Sequence, residues 1–411
     1  MKKKGSEQSN IILQRTHKKN ALLQLIRQHK QLSRYDLVNL TRLSNSTVWS
    51  LVTELMEEGL IVESGIGDSK GGRPPLLLEI NPTAGYIVGM DFDGNRVRTV
   101  VVNFKAEVIY ASRRALNELG GRNEILKELV NCVKEAVAKS AIKPESIMGI
   151  GIAAPGLINV ETGCCRYYPN LPDWRDVPLK DVFEFEFGIP VYVENNSQAT
   201  ALGERIFGAG QKAKDLICIV SRTGIGAGII INGQPYYGVN FTAGELGHIT
   251  IDRNGQRCRC GKRGCLETFA ATPAILKRAA KILEAQESAS LLGSKIHSAP
   301  EELELEMIWE AAAAGDPVAR AVVLETGEYL GEGIVNVINL LNPEMIILAG
   351  DLLGGGALLL DSIKKTAKEL ALDASLQNVT IVYAQLKENA GAIGAATVVL
   401  QQKFNSFLEP I

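Results

Sequence analysis

GYIVGMDFDGNRVRTVVVNF (85–104) and LICIVSRTGIGAGIIINGQ (216–234) share one design. Each is an apolar, β-branched run, an acidic or glycine-rich turn, and a second apolar run, which reads as a strand–turn–strand hairpin. Its recurrence along the chain predicts two α/β lobes of related build. Helical patterns lie between and after the hairpins, over 124–140, 197–207, 273–286, 303–313, 317–340 and 360–371. In the 317–340 pattern, Ala321, Val322, Val323, Leu330, Ile334, Val335 and Val337 suit either a core or a subunit interface. Glycine-bearing hairpins facing each other across a cleft suit phosphoryl transfer, because their backbone N–H groups can cradle phosphates. The expected lobes are 84–205 and 206–411, with a last helix at about 390–405 returning to the first lobe.

The 411 residues exceed one ordinary core, so two or three domains are expected. A composition 46% hydrophobic and 22% charged is that of a globular protein. No apolar run is long enough to cross a bilayer, and MKKKGSEQSN lacks the apolar stretch of a secretory signal. A cytoplasmic protein without membrane contact is expected. Seven cysteines, an odd number, fit reduced thiols there, the vicinal Cys164-Cys165 included. The net charge of −2 hides an asymmetry: residues 1–80 carry 12 Lys+Arg against 8 Asp+Glu, and the remainder 32 against 38. A small basic head on an acidic body suggests that the head meets an anion.

In that head, 18–30 reads as an amphipathic helix with Leu22, Leu23 and Ile26 on its stripe. Ser33 can cap a second helix, with Leu37, Val38 and Leu40 inward. After the turn Thr41-Arg42-Leu43, Ser44 can cap a third helix running from Asn45 to Glu58, with Gly59 as its stop. This is a helix-turn-helix, whose third helix enters the major groove by its N-terminal half. Ser44, Asn45, Ser46, Thr47 and Ser50 there can bond base edges or phosphates. The helices alone also fit a protein-interaction module. The alternating run IVESGIGDSKGGRPPLLLEI (61–80) adds a hairpin wing, making 1–80 a winged helix. Arg73, between glycines and prolines, suits a narrow minor groove, the same stretch also fitting a proline-rich domain linker, and Lys18 and Lys19 suit phosphates. Double-stranded DNA is the expected partner, bound as a homodimer or a dimer of dimers on a palindromic operator.

Six motifs carry a family resemblance: GIAAPGLIN (151–159), ENNSQATALGE (194–204), TGIGAGIIING (223–233), TAGELGH (242–248), CRCGKRGCLE (258–267) and NPEMIILAG (342–350). The chain resembles the ROK family of repressors, open reading frames and sugar kinases, over nearly its whole length. Within the family it looks like the regulators of xylose and N-acetylglucosamine type. The resemblance implies a two-lobed actin/hexokinase-like (ribonuclease H-like) ATPase fold behind the winged helix. It also implies a small neutral sugar effector between the lobes.

His248-x9-Cys258-x-Cys260-x4-Cys265 fits a closed tetrahedral Zn²⁺ site, and Gly261 and Gly264 permit the sharp turns it needs. The alternatives are four reduced side chains in a loop, or a redox pair. Four protein ligands leave no open position for a catalytic water, so the ion is expected to be structural. The resemblance implies the same zinc and adds that His248 also faces the sugar. Asn195, Asn196, Glu245 and Glu267 then complete the expected sugar site.

The resemblance also measures departures. Kinases of the family carry Glu-Asn-Asp, whose Asp accepts the proton of the attacking hydroxyl. This chain reads Glu194-Asn195-Asn196, and an amide cannot take that proton. Asp93 stands where those kinases have a phosphate-facing glycine and should repel phosphate. Arg222 replaces a glycine and can block the phosphate path. No catalytic residue is therefore expected, and the reading is a sugar-responsive repressor of carbohydrate genes, for xylose or a glucose-type sugar. The rivals are an active or bifunctional sugar kinase with a DNA-binding head, and a docking platform for a protein effector. Tyr167, Tyr168, Asn170 and Trp174 belong to a loop that can line the cleft or simply pack. Residues 287–302 read as a polar, flexible insertion.

Overall fold

The computed structural model describes residues 2–67, 74–117, 120–285, 290, 292–293 and 303–404. Arg73 and most of the 287–302 segment lie outside them. Among the described residues no helix is long and apolar enough to cross a membrane.

The head has three helices, Lys2–His29, Arg34–Thr41 and Asn45–Glu57. Its antiparallel sheet places Leu76–Ile80 between Leu32–Ser33 and Ile61–Ile66. Ser33 and Asp36 form a reciprocal capping box at the second helix. Ser44 caps the third, accepting from the Thr47 N–H, while Val48, Leu51, Val52 and Leu55 are fully buried beneath it. Gly59 stands just beyond the end of this helix with φ +68°.

Three expectations in the head change. The first helix starts at Lys2, because polar residues extend a helix that the apolar stripe has nucleated. Lys18 and Lys19 therefore lie inside it, not at its start. Leu40 is 45% exposed, at the rim of the crevice between head and body. Trp49 is half-buried and meets Tyr35 edge-on at 5.3 Å.

The body holds two five-stranded sheets of identical order. In the first, Tyr86–Phe92 lies centrally, antiparallel to Arg96–Asn103 and parallel to Ile147–Ala154. Val108–Ala115 and Val191–Asn195 form the two edges. In the second, Leu216–Ser221 pairs with Ile225–Ile231 and, in parallel, with Met345–Gly350. Gln234–Pro235 and Thr380–Tyr383 complete it. Both lobes thus run 3-2-1-4-5 when their strands are counted from each hairpin. The parallel strands are buried on both faces, which explains their continuous apolar runs.

Two helices occupy the middle. Ala390–Phe404 packs on the first sheet so closely that a Cβ on Gly89 would lie 2.0 Å from the Ala392 carbonyl oxygen, and one on Gly151 1.9 Å from that of Ala395. Asn196–Phe207 crosses it, with Gly394 against the Ala199 carbonyl. Pro317–Leu341 is a core helix of the second lobe; Val322, Val323, Leu330, Ile334, Val335 and Val337 are buried, and only Ala321 of the expected set is exposed.

The head is not held by a loose tether. Leu22, Leu23 and Ile26 share one apolar cluster with Phe104, Ile393 and Phe404 of the body. Asn20 donates to the Phe404 carbonyl, and Arg27 donates to that of Phe104 at 3.1 Å while its guanidinium lies over the Phe104 ring.

Candidate effector cavity, metal knuckle and DNA-facing helix

A cavity of about 400 Å³ opens between the lobes. Its walls come from the loop after Ile147–Ala154, the start of the Asn196–Phe207 helix, the second hairpin turn and the 236–248 segment. Asn195, Asn196, Glu245, His248 and Glu267, the five expected sugar contacts, all line it. Tyr167, Tyr168 and Asn170 line it too, whereas Trp174 is 2% exposed and packs edge-on against Phe92.

Asn195 is already engaged. Its carbonyl oxygen caps the helix by accepting from the Ser197 and Gln198 N–H groups, and its amide donates to the Gly156 carbonyl at 3.1 Å. It braces the wall. Asn196, at the first position of the helix, keeps its amide at the cavity, with one 3.4 Å contact from the Ser197 hydroxyl. Glu245 is raised above the ordinary carboxylate range by burial, with Glu267 adding to the effect and His248 opposing it. Such acceptors can bond sugar hydroxyls.

Glu194 escaped the sequence reading as a cavity residue. It is 2% exposed, accepts from the Tyr237 hydroxyl at 2.7 Å and from the Asn195 N–H at 2.8 Å. Burial pushes its carboxyl up to about 7. No local pattern marks the Tyr237 contact, because the two residues come from opposite lobes.

His248, Cys258, Cys260 and Cys265 converge so that their ligand atoms all lie within 4.8 Å of one another. Cys258 Sγ is 3.7 Å from His248 Nδ1, and Cys260 Sγ is 3.6 Å from Cys265 Sγ. Tetrahedral zinc with Zn–S of about 2.3 Å implies S···S of about 3.8 Å, so the donor set fits the ion. Gly261 and Gly264 take φ of +89° and +68°, and a Cβ on Gly264 would collide with the Asp252 carbonyl at 1.5 Å. The imidazole turns Nδ1 to the thiols and leaves Nε2 3.8 Å from Glu245 Oε2, facing the cavity. Arg259, between two of the cysteines, reaches Asn170 Oδ1 at 2.5 Å across the cavity mouth.

The hairpin turns meet in a polar knot. Arg222 donates to both oxygens of Asp91, at 3.0 and 2.5 Å, and lies 3.7 Å from Asp93. Arg96 joins Asp93 at 3.0 Å to Asp351 at 2.6 Å. Asp93 is therefore matched by cations, not a bare carboxylate repelling phosphate; its charge is used inside the knot. Arg222, the expected obstacle in the phosphate path, is held at Asp91 between the hairpin turns and lines the cavity.

On the head, Ser44, Asn45, Ser46 and Ser50 are exposed at the leading end of the third helix, and Thr47 is half-buried. Ser44 and Thr47 hydroxyls bond each other at 2.8 Å, and Ser50 accepts from Arg15 at 2.9 Å. Lys18 is exposed, whereas Lys19 is bound to Glu58. Arg15 was not foreseen beside this helix, because the extension of the first helix hid its reach.

Two lobes of matching topology, a cavity between them and a winged helix ahead define a sugar-kinase-like body carrying a regulator's head. The chain belongs to the ROK family, whose pattern matches residues 87–402. It is 35% identical to the xylose repressor of Caldicellulosiruptor bescii, over 92% of this chain and 94% of that one. A solved ROK family transcriptional regulator, a homologue of the E. coli MLC protein, superposes with a TM-score of 0.80 at 30% identity, covering 96% of this chain and 98% of its own. A ROK glucokinase from Streptomyces griseus, in complex with glucose and AMPPNP, gives 0.70 at 32% identity but covers only 77% of this chain and 100% of its own.

Proposed function

We propose that this protein is a sugar-responsive transcriptional repressor without kinase activity. One observation carries the reading: a cavity furnished for hydroxyls has an amide, Asn196, where proton abstraction needs a carboxylate, in a chain that begins with a winged helix. Relatives that span the head as well as the body are named as a xylose repressor and a transcriptional regulator, which supports it. Double-stranded operator DNA is the partner, read by Asn45, Ser46, Thr47 and Ser50, with Ser44 holding the helix start and Lys18 and Arg73 on the backbone or minor groove. Lys19 acts within the head. The protein works as a two-fold dimer in the cytoplasm, on a palindromic site.

The effector is a small neutral sugar, xylose first and glucose next, bound by Asn196, Glu245, His248 and Glu267 with Asn195 as brace. A structural Zn²⁺ on His248, Cys258, Cys260 and Cys265 would fix His248 and, through Cys265, the start of the helix that carries Glu267. Sugar alters DNA affinity because it binds the two lobe arrangements unequally. An operator-shift assay with D-xylose, D-glucose and N-acetylglucosamine tests this. A sugar-dependent change in retardation is expected. Sugar-independent binding, or labelled phosphate transferred from ATP to any of these sugars, would overturn it.

A further inference from the structure

The knot between the hairpin turns has a geometry that sugar recognition alone does not require. Asp91 and Asp93 are each 2% exposed and Arg222 8%. Two charge bridges cross the cleft with opposite polarity: Arg222 of the second lobe to Asp91 of the first, and Arg96 of the first to Asp351 of the second. Thr272 adds a hydroxyl bond to Asp351 at 2.8 Å. Asp93 Oδ1 also accepts from the N–H groups of Asn95 and Arg96, at 3.1 Å each, so the first turn is tied to the same knot. Burial opposes the charge on Arg222, but Asp91 and Asp93 outweigh it and raise its pKa, so the guanidinium stays charged. Removing one partner by substitution would leave a buried charge uncompensated, which opening of the cleft to water would relieve.

The knot also touches the cavity. Arg222 lines it, and the next residue, Thr223, meets the Tyr168 hydroxyl at 3.4 Å from the other lobe. Gly224 lies so close under Glu267 that a Cβ there would stand 2.6 Å from its Oε2. The Arg222 N–H donates to the Gly224 carbonyl at 2.8 Å, closing the turn. Displacing Arg222 therefore displaces two walls of the cavity.

We propose that Arg222 is a positioning residue for the effector: its guanidinium supplies, from within the chain, the bridge between hairpin turns that a bound nucleotide and its cation would otherwise supply, so the lobes stand in register for sugar with no nucleotide present. The proposal rests on the sugar-sensor reading. It extends that reading from a lost reaction to a gained clasp.

The test uses the full-length protein. Calorimetric titration with D-xylose, D-glucose and N-acetylglucosamine is run with and without AMPPNP and Mg²⁺, beside small-angle X-ray scattering. Wild type should bind its sugar with the same affinity whether or not AMPPNP is present. Arg222→Gln and Asp351→Asn should each weaken sugar binding about tenfold or more, enlarge the scattering radius, and leave the metal content unchanged. Arg222→Lys, which keeps the charge but not the paired contact, should fall between. Asp351 is partly exposed, so Asp351→Asn decides the matter if Arg222→Gln does not fold. Unaltered affinity and scattering in the folded variants, or an AMPPNP-dependent gain in wild type, would overturn the clasp. Should wild type bind none of the sugars, the sensor reading fails, and scattering alone still decides the clasp: expansion supports it and an unchanged profile overturns it.

Discussion

Glu194 lies at the cavity wall with its carboxyl raised by burial from 4.5 to about 7. A folded-state pKa above the unfolded one means that the folded protein holds this proton more tightly. The stability it contributes is complete below about 4.5 and is lost as pH rises through about 7. Glu194→Gln, which keeps the shape and an acceptor for Tyr237, lacks that loss. Its melting temperature relative to wild type should climb between about pH 5 and pH 8, by the equivalent of at most about 3 kcal/mol. A flat difference in thermal unfolding across that range would show an ionised Glu194 throughout. Asn196→Asp restores a base but leaves Arg222 bound to Asp91, so labelled ATP should still yield no phosphorylated sugar. At this scale the sequence was most legible where residue types are chemically distinctive: three cysteines and a histidine at metal spacing, an amide in place of an acid. It was least legible where partners are distant, as with Arg222 and Asp91, 131 residues apart.

The elements follow the same division. Period-two hairpins and amphipathic helices announce themselves, and 124–140 or 273–286 match Arg122–Lys139 and Thr272–Ala285 closely. The parallel strands Ile147–Ala154 and Met345–Gly350 carry no alternation because both faces are buried, and the helix Leu179–Phe187 is too short to stand out. Gly151→Ala should push the Ala390–Phe404 helix off its strand and cost about 1–3 kcal/mol, read as a lower urea midpoint. Cys260 is exposed, so its packing contributes little and a structural effect of replacing it would point to the proposed metal. Cys260→Ser should lose bound zinc by elemental analysis and destabilise the second lobe. A variant that is zinc-free yet unchanged in denaturation would remove the ion's structural role.

At the scale of the whole molecule, the head and the body share one core. The expected bounds, 1–80 for the head and 84–205 for the first lobe, put a boundary between them. The boundary is bridged by contacts that no local pattern reveals: Asn20 to Phe404, and Arg27 to Phe104. The last helix touches the first sheet, the Asn196–Phe207 helix of the cavity and the head at once. It joins the proposed effector cavity to the proposed DNA-binding head by direct packing. Asn20→Ala should therefore leave the separate affinities for sugar and operator largely intact while reducing the effect of one on the other. Fluorescence anisotropy of labelled operator, with and without sugar, measures that coupling; full coupling in the variant would place the route elsewhere.

The return of the chain's end to its beginning has a genetic consequence. A nonsense mutation shortly before codon 390 would leave every residue proposed to face the DNA groove encoded, yet strip the apolar face against which Leu22, Leu23 and Ile26 are seated. Such an allele should derepress its operon as fully as a lesion in the recognition helix, and the truncated product should accumulate in inclusion bodies.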